Sequence, residues 1–142
     1  YYWTDDDPMN DSLVINTGID SNESDKTYLW IVCDDKRLTN TGITTDKMIR
    51  NNFVQARWDN KDKETYFWEI PSGQGLKVFH MTKRLDGPTG GDTARYFIEE
   101  FKKHNSLLVR FQTYSDSPKT VSFDLKSFHS LIDKADAEGC NI

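Results

Sequence analysis

The side chains best equipped for chemistry in this 142-residue chain are three histidines, two cysteines and a set of carboxylates, and their spacing limits what they can do. His80, His104 and His129 fall in three separate predicted elements, and none stands at the spacing that puts two imidazoles on one helix face. A zinc site would need those distant segments to converge with carboxylates, so structural or surface imidazoles are the simpler expectation and no metal or cofactor is expected. A serine hydrolase has no firmer footing, because no G-x-S-x-G elbow is present and "PSGQG" at 71–75 reads as a turn. The carboxylate neighbours Asp34–Asp35 and Glu99–Glu100 are adjacent in sequence and so diverge on a strand or a helix, as solvated faces do. "GPTGGDTAR" at 87–95 runs into a helical pattern as an anion cradle would, but it lacks the Lys-Ser/Thr pair of a P-loop, and a plain connection is the simpler reading.

Cys33 closes the apolar run "YLWIVC", where a thiolate nucleophile would be unstable, and Cys140 follows "AEG" near the other end. Two readings stand side by side. Either both thiols are reduced, one as core filler and one idle, or they bond and tie the final helix to the central sheet. On the chain-entropy model the bond would add on the order of 4–5 kcal/mol. The disulfide is favoured, because exported proteins avoid an exposed lone thiol by pairing it.

The composition narrows the class of partner. A net charge of -5 with Lys and Arg scattered along the chain does not make the basic field that nucleic acid requires. No apolar run reaches the roughly 18–20 residues of a membrane-spanning helix. The chain opens on "YYWTDDDPMNDS" without an initiator Met, which suggests a removed leader, an export or lipoprotein signal that would supply the one expected membrane contact.

The elements that must position these residues follow from periodicity. "SLVINTGI", "TYLWIVC" and "RLTNTGI" read as successive strands, the middle one apolar on both faces and therefore expected to be covered on both. "NFVQARWD" and "ETYFWEI" form a hairpin, "LKVFHM" a short strand, and residues 106–123 a second hairpin around Ser-Asp-Ser-Pro. Helical period appears in "DTARYFIEEFKKH" and again after Asp124, predicting helices near 92–104 and 126–137. The expectation is one α+β domain, a mostly antiparallel β sheet or sandwich of seven or eight strands with two amphipathic helices, and a loose acidic segment over residues 1–11.

Arg57 and Arg110 stand in strands among apolar neighbours, close in sequence pattern to the aromatic cluster Trp58, Tyr66, Phe67 and Trp68. An unpaired buried guanidinium is too costly to keep, so each arginine either pairs with a carboxylate (Asp59, Glu69 or Asp124) or reaches solvent. In the second case Arg57, Arg110 and Trp68, taken as the exposed member of the Phe67–Trp68 pair, form a partner-facing patch.

The strand ending in "LWIVC", the strand end "ARWD" with a second Trp ten residues after Trp58, the helix "FIEEF", the stretch "LLVRFQTYSDSPKTVSFDL" and a late Cys together resemble the VasI/TagO-like family of type VI secretion-associated accessory proteins and their exported or phage-borne relatives. The resemblance covers roughly residues 3 to 140, with Leu107–Leu125 its most specific part. It implies a β-rich protein of the periplasm or another extracytoplasmic space that binds a protein partner or assists assembly and is not an enzyme. An immunity or inhibitor-type protein capping a basic partner, and a small hydrolase using one of the histidines, are the alternatives.

Overall fold

The computed structural model describes residues 1–7, 12–83, 91–115 and 118–142. Nine strands, β1 (Tyr2–Asp7), β2 (Ser12–Asp20), β3 (Tyr28–Asp34), β4 (Arg37–Thr44), β5 (Ile49–Trp58), β6 (Glu64–Phe67), β7 (Val78–His80), β8 (Ser106–Thr113) and β9 (Lys119–Asp124), are joined by helices α1 (Gly91–Lys103) and α2 (Leu125–Ala135). They form two antiparallel sheets, the first in the order β1-β2-β3-β4-β7 and the second β6-β5-β8-β9. The sheets meet at one corner, where the chain beyond β6 bridges β7 through reciprocal Glu69–His80 backbone hydrogen bonds of 3.0 and 2.8 Å.

Strict alternation gives each sheet one apolar face, and these faces look at each other. Leu107, Val109 and Phe111 of β8 and Val121 and Phe123 of β9 are buried, while Leu108, Arg110 and Thr120 between them point outward. At the β3–β4 turn Asp35 and Lys36 both take positive φ (51° and 62°), the twist that lets a two-residue turn close a hairpin.

The helices fill the space between the sheets. The α1 helix lies against β4, and its Phe97 and Phe101 rings meet Tyr66, Trp68 and Trp58 of the second sheet at 5.6–6.1 Å. The α2 helix lies on β2 and β8 with Leu125, Phe128, Ile132 and Ala135 buried. Asp124 caps α2 by accepting the Lys126 amide, and His129 Nε2 faces the Phe101 and His104 carbonyls at the end of α1, at 2.7 and 3.1 Å. A π-helical turn, Asp136–Cys140, is kinked at Gly139, whose φ of 103° favours a residue without a side chain, and brings Cys140 onto Cys33, with a Cα–Cα separation of 5.7 Å across the bond. The disulfide reading of the two cysteines is the one the structure carries, with no free cysteine.

Three expectations change. Part of the acidic start is not loose: Tyr2–Asp7 is strand β1, held on β2 and anchored by Tyr2, whose hydroxyl donates to Glu138 at 2.8 Å and whose ring lies under the Lys134 ammonium at 4.0 Å. Residues 8–11 lie outside the described residues. Strand β3 is central within its sheet, yet only Leu29, Ile31 and Cys33 are buried; Tyr28, Trp30 and Val32 face outward, half-buried under their own neighbours rather than under a second layer. The described residues hold nine strands against the seven or eight expected, the extra one being β1.

Candidate functional site: two outer sheet faces

The register of the second sheet gathers residues far apart in sequence. Gln55 lies opposite Arg110, Arg57 opposite Leu108, and Arg110 opposite Thr120, so Arg57 and Arg110 are diagonal neighbours on adjacent strands. They line a shallow depression of about 200 Å³ with Lys63, Leu108, Gln55 and Thr120. Beside it Phe53 and Phe67 meet edge to face at 5.7 Å, 39% and 38% exposed, and Leu108 is 39% exposed. Arg110 Nε donates to Thr120 Oγ1 at 3.1 Å, which fixes the guanidinium over the strand.

Neither arginine forms the expected ion pair. The three candidate carboxylates are committed elsewhere: Asp59 to His104, Glu69 to His80, and Asp124 to the start of α2. Both arginines are exposed and reach solvent, the other branch of the expectation. Trp68 is a correction. It follows exposed Phe67 on a strand, so it faces the opposite way, into the core, where it is fully buried against Tyr66, Phe79 and Phe97. Its indole N–H has no hydrogen-bond partner among the described residues. The ring opposite the arginines' layer is therefore structural, and Phe67 takes the outward place assigned to Trp68.

The histidines are dispersed into three different settings. His104, 5% exposed, has Nδ1 2.8 Å from Asp59 Oδ2 and Nε2 3.1 Å from Glu100 Oε2, with the Trp58 ring tilted against it at 5.4 Å. Asp59 also accepts the Asn105 and Ser106 amides, and the Asn105 bond foremost, with His104, holds its pKa below the usual carboxylate range. This arrangement joins the end of β5 to the end of α1 and the start of β8, and the Ser106 hydroxyl donates to Asp59 Oδ1 at 3.5 Å, on the carboxylate rather than on the imidazole. Among the described residues no group of three or more His, Cys, Asp or Glu could hold a metal ion. The anion-cradle expectation at 87–95 falls partly outside the described residues, since these omit 84–90.

The first sheet's outer face is built differently. Gly18 pairs with Trp30, Trp30 with Gly42, and Gly42 with His80, so four residues of β2, β3, β4 and β7 form one row. The Trp30 indole lies across Gly42, where an added Cβ would sit 2.6 Å from Cζ2, and the Tyr1 ring lies across Gly18 at 2.9 Å. The indole N–H donates to Thr44 Oγ1 at 2.9 Å, and the His80 ring stands edge-on to the indole at 5.8 Å. Burial holds the His80 pKa below its ordinary value, against a weaker upward pull from Glu69 at 3.6 Å.

Sequence reasoning placed the two arginines but missed Lys63, Phe53, Phe67 and Leu108. The signal for two of these was available: Phe53 shares strand parity with Arg57, and Leu108 with Arg110, as the period of two requires. Comparison with known proteins finds no matching family model, no matching curated protein and no matching solved structure.

Proposed function

We propose that this chain is a non-enzymatic binding or assembly module that works outside the cytoplasm and engages a protein partner through the outer face of its second sheet. One observation carries the reading. Two guanidinium groups and an ammonium line one depression with no carboxylate among its described lining residues, next to exposed Phe53, Phe67 and Leu108, in a chain whose net charge is -5. Like charges placed as diagonal cross-strand neighbours repel, so the local fold gains nothing from them, whereas an incoming acidic and aromatic-accepting surface would.

The extracytoplasmic part of the reading is supported by the Cys33–Cys140 bond, which persists in oxidising compartments. The described residues contain no helix long and apolar enough to cross a membrane. The secretion-linked part, an accessory factor of a type VI-like assembly or a phage-borne relative, is supported by the resemblance in Leu107–Leu125 alone. The histidine settings favour binding over hydrolysis as the reading, since His104 and His129 are each turned onto protein acceptors.

The test is chemical cross-linking in an envelope fraction, comparing the native chain with an Arg57→Glu, Arg110→Glu double variant. The native chain is expected to yield a discrete cross-linked partner, and the variant to lose it while keeping its melting transition. Recovery of the same partner by both proteins sinks the proposed face, and two free thiols in freshly isolated protein sink the proposed compartment.

A further inference from the structure

The row Gly18–Trp30–Gly42–His80 makes a feature that the proposed docking face does not use. Glycine in the middle of a strand costs stability, and a sheet recovers it when an aromatic ring from a neighbouring strand covers the bare backbone. Tyr1 and Trp30 cover Gly18 and Gly42 in this way. Covering a glycine, however, does not require a cleft beyond the ring, and here there is one. It measures about 400 Å³, within the range of small-molecule sites, and Trp30 and Val32, outward-facing on β3, are among the residues that line it.

The lining is selective in its chemistry. Charged residues make up 29% of the chain, yet among the described residues no Lys, Arg, Asp or Glu side chain lines this cleft. The polar side chains among its described lining residues carry neutral donors and acceptors: the Asn16 and Gln74 amides, the Thr44 and Tyr1 hydroxyls and the His80 ring. Thr44 is already engaged by the indole N–H, which locks the ring in place before any ligand arrives. His80 Nδ1 is turned toward Glu69, and its Nε2 has no hydrogen-bond partner among the described residues. An uncharged imidazole with Nδ1 as its donor leaves Nε2 as an acceptor, and burial favours that uncharged form.

A ligand matching this site must be uncharged, must present one face of weakly positive C–H groups to the negative face of an indole, and must carry hydroxyls around its rim for the amides and the imidazole. We infer that the cleft over Trp30 on the outer face of the first sheet is a binding site for an uncharged pyranose ring, with Trp30 as the stacking floor, His80 accepting a hydroxyl at one end, and Asn16 and Gln74 contacting the rim. A planar heteroaromatic ligand would stack equally well on the indole but would leave the rim amides and the imidazole acceptor unmatched. An anionic or cationic ligand would meet no oppositely charged side chain among the described residues that line the cleft.

The experiment is a titration of the full oxidised chain with cellotetraose, chitotetraose, maltotetraose and mannotetraose as separate probes. The Trp30 indole N–H resonance and tryptophan fluorescence are followed together. At least one sugar is expected to shift the Trp30 signal saturably below ~10 mM, as a weak carbohydrate site would. His80→Gln and Asn16→Ala are each expected to weaken that binding about tenfold, the value of one lost hydrogen bond, without lowering the melting temperature. Arg57→Ala, on the other face, should leave the titration unchanged. The inference is overturned if no probe moves the Trp30 signal at ~10 mM, if His80→Gln and Asn16→Ala bind as the native chain does, or if Arg57→Ala abolishes the effect. Because the probes are sugars and the readout is Trp30, failure here leaves the partner-docking proposal standing, and failure of that proposal leaves this one standing.

Discussion

The outer faces of the two sheets are made from the same strand geometry and have opposite constructions. On the first sheet, rings are pressed down onto bare backbone at Gly18 and Gly42, so aromatic side chains become part of the framework. On the second, Arg57, Arg110, Phe53, Phe67 and Leu108 stand up from a backbone that is complete without them. The contrast teaches that exposure alone does not separate structural from interacting residues. What separates them is whether the side chain fills a place that the local backbone leaves empty.

The strongest way to break this comparison is at Gly42. A Cβ there would sit 2.1 Å from the Phe79 carbonyl oxygen and 2.6 Å from the Trp30 ring, and neither backbone nor locked ring can yield cheaply. Gly42→Ala is expected to lose about 3 kcal/mol in chemical denaturation, the upper end for overpacking. Next in size is Trp30→Ala, which uncovers Gly42 and frees Thr44; a half-buried ring should cost about 2 kcal/mol, less than a fully buried one. A loss under ~0.5 kcal/mol would place Trp30 with the detachable side chains and erase the contrast.

On the second sheet, Arg57→Ala and Arg110→Ala are each expected to stay within ~0.5 kcal/mol of the native stability, with Arg110 the larger because it loses the Thr120 bond. A bigger loss would show that this face is framework too. The smallest effects come from protons. His80 favours its neutral form in the folded chain, so the stability it contributes is present above its ordinary pKa of 6.5 and is lost as pH falls through its lowered value. His80→Gln should flatten that part of the pH–stability curve. At the second sheet's β9 edge, burial works to raise the Asp25 pKa but is outweighed by hydrogen bonds from Lys119, Ser21 and Thr27, which hold it at about 2. Its contribution is present above 3.8 and is lost as pH falls toward 2, so Asp25→Asn should remove only that acid limb, read by melting temperature against pH.

Much of this architecture is written in local pattern. The two hairpins, both helices and the Cys33–Cys140 pairing follow from alternation, helical period and the cost of a lone thiol, because each depends on residues near one another or on a count of two. Trp68 was placed on the wrong side because alternation says only that Phe67 and Trp68 face opposite ways; which way is inward depends on where α1 brings Phe97. Strand β3 misled for a related reason: Tyr28, Trp30 and Val32 are apolar enough for a covered face, and only the register reveals that glycines beside Trp30 let it cover itself. The Asp59–His104–Glu100 cluster was equally out of reach, since it joins positions 45 residues apart through side-chain geometry.

The disulfide gives the chain a timetable. Cys33 precedes its partner by 107 residues, and all of β4 through α2 lies between them. At the ordinary pace of synthesis, Cys33 waits roughly 5–20 s for Cys140 to emerge. During that interval β1–β3 must find their pairing without a covalent tie, and Cys33 is shielded from the wrong thiol only by how quickly β3 sinks between its neighbours. Once Cys140 arrives, the bond closes a ring that contains the second sheet and both helices and leaves β1 and β2 outside it, so a cut in the ring's loops keeps the two halves in one molecule until a reductant is added.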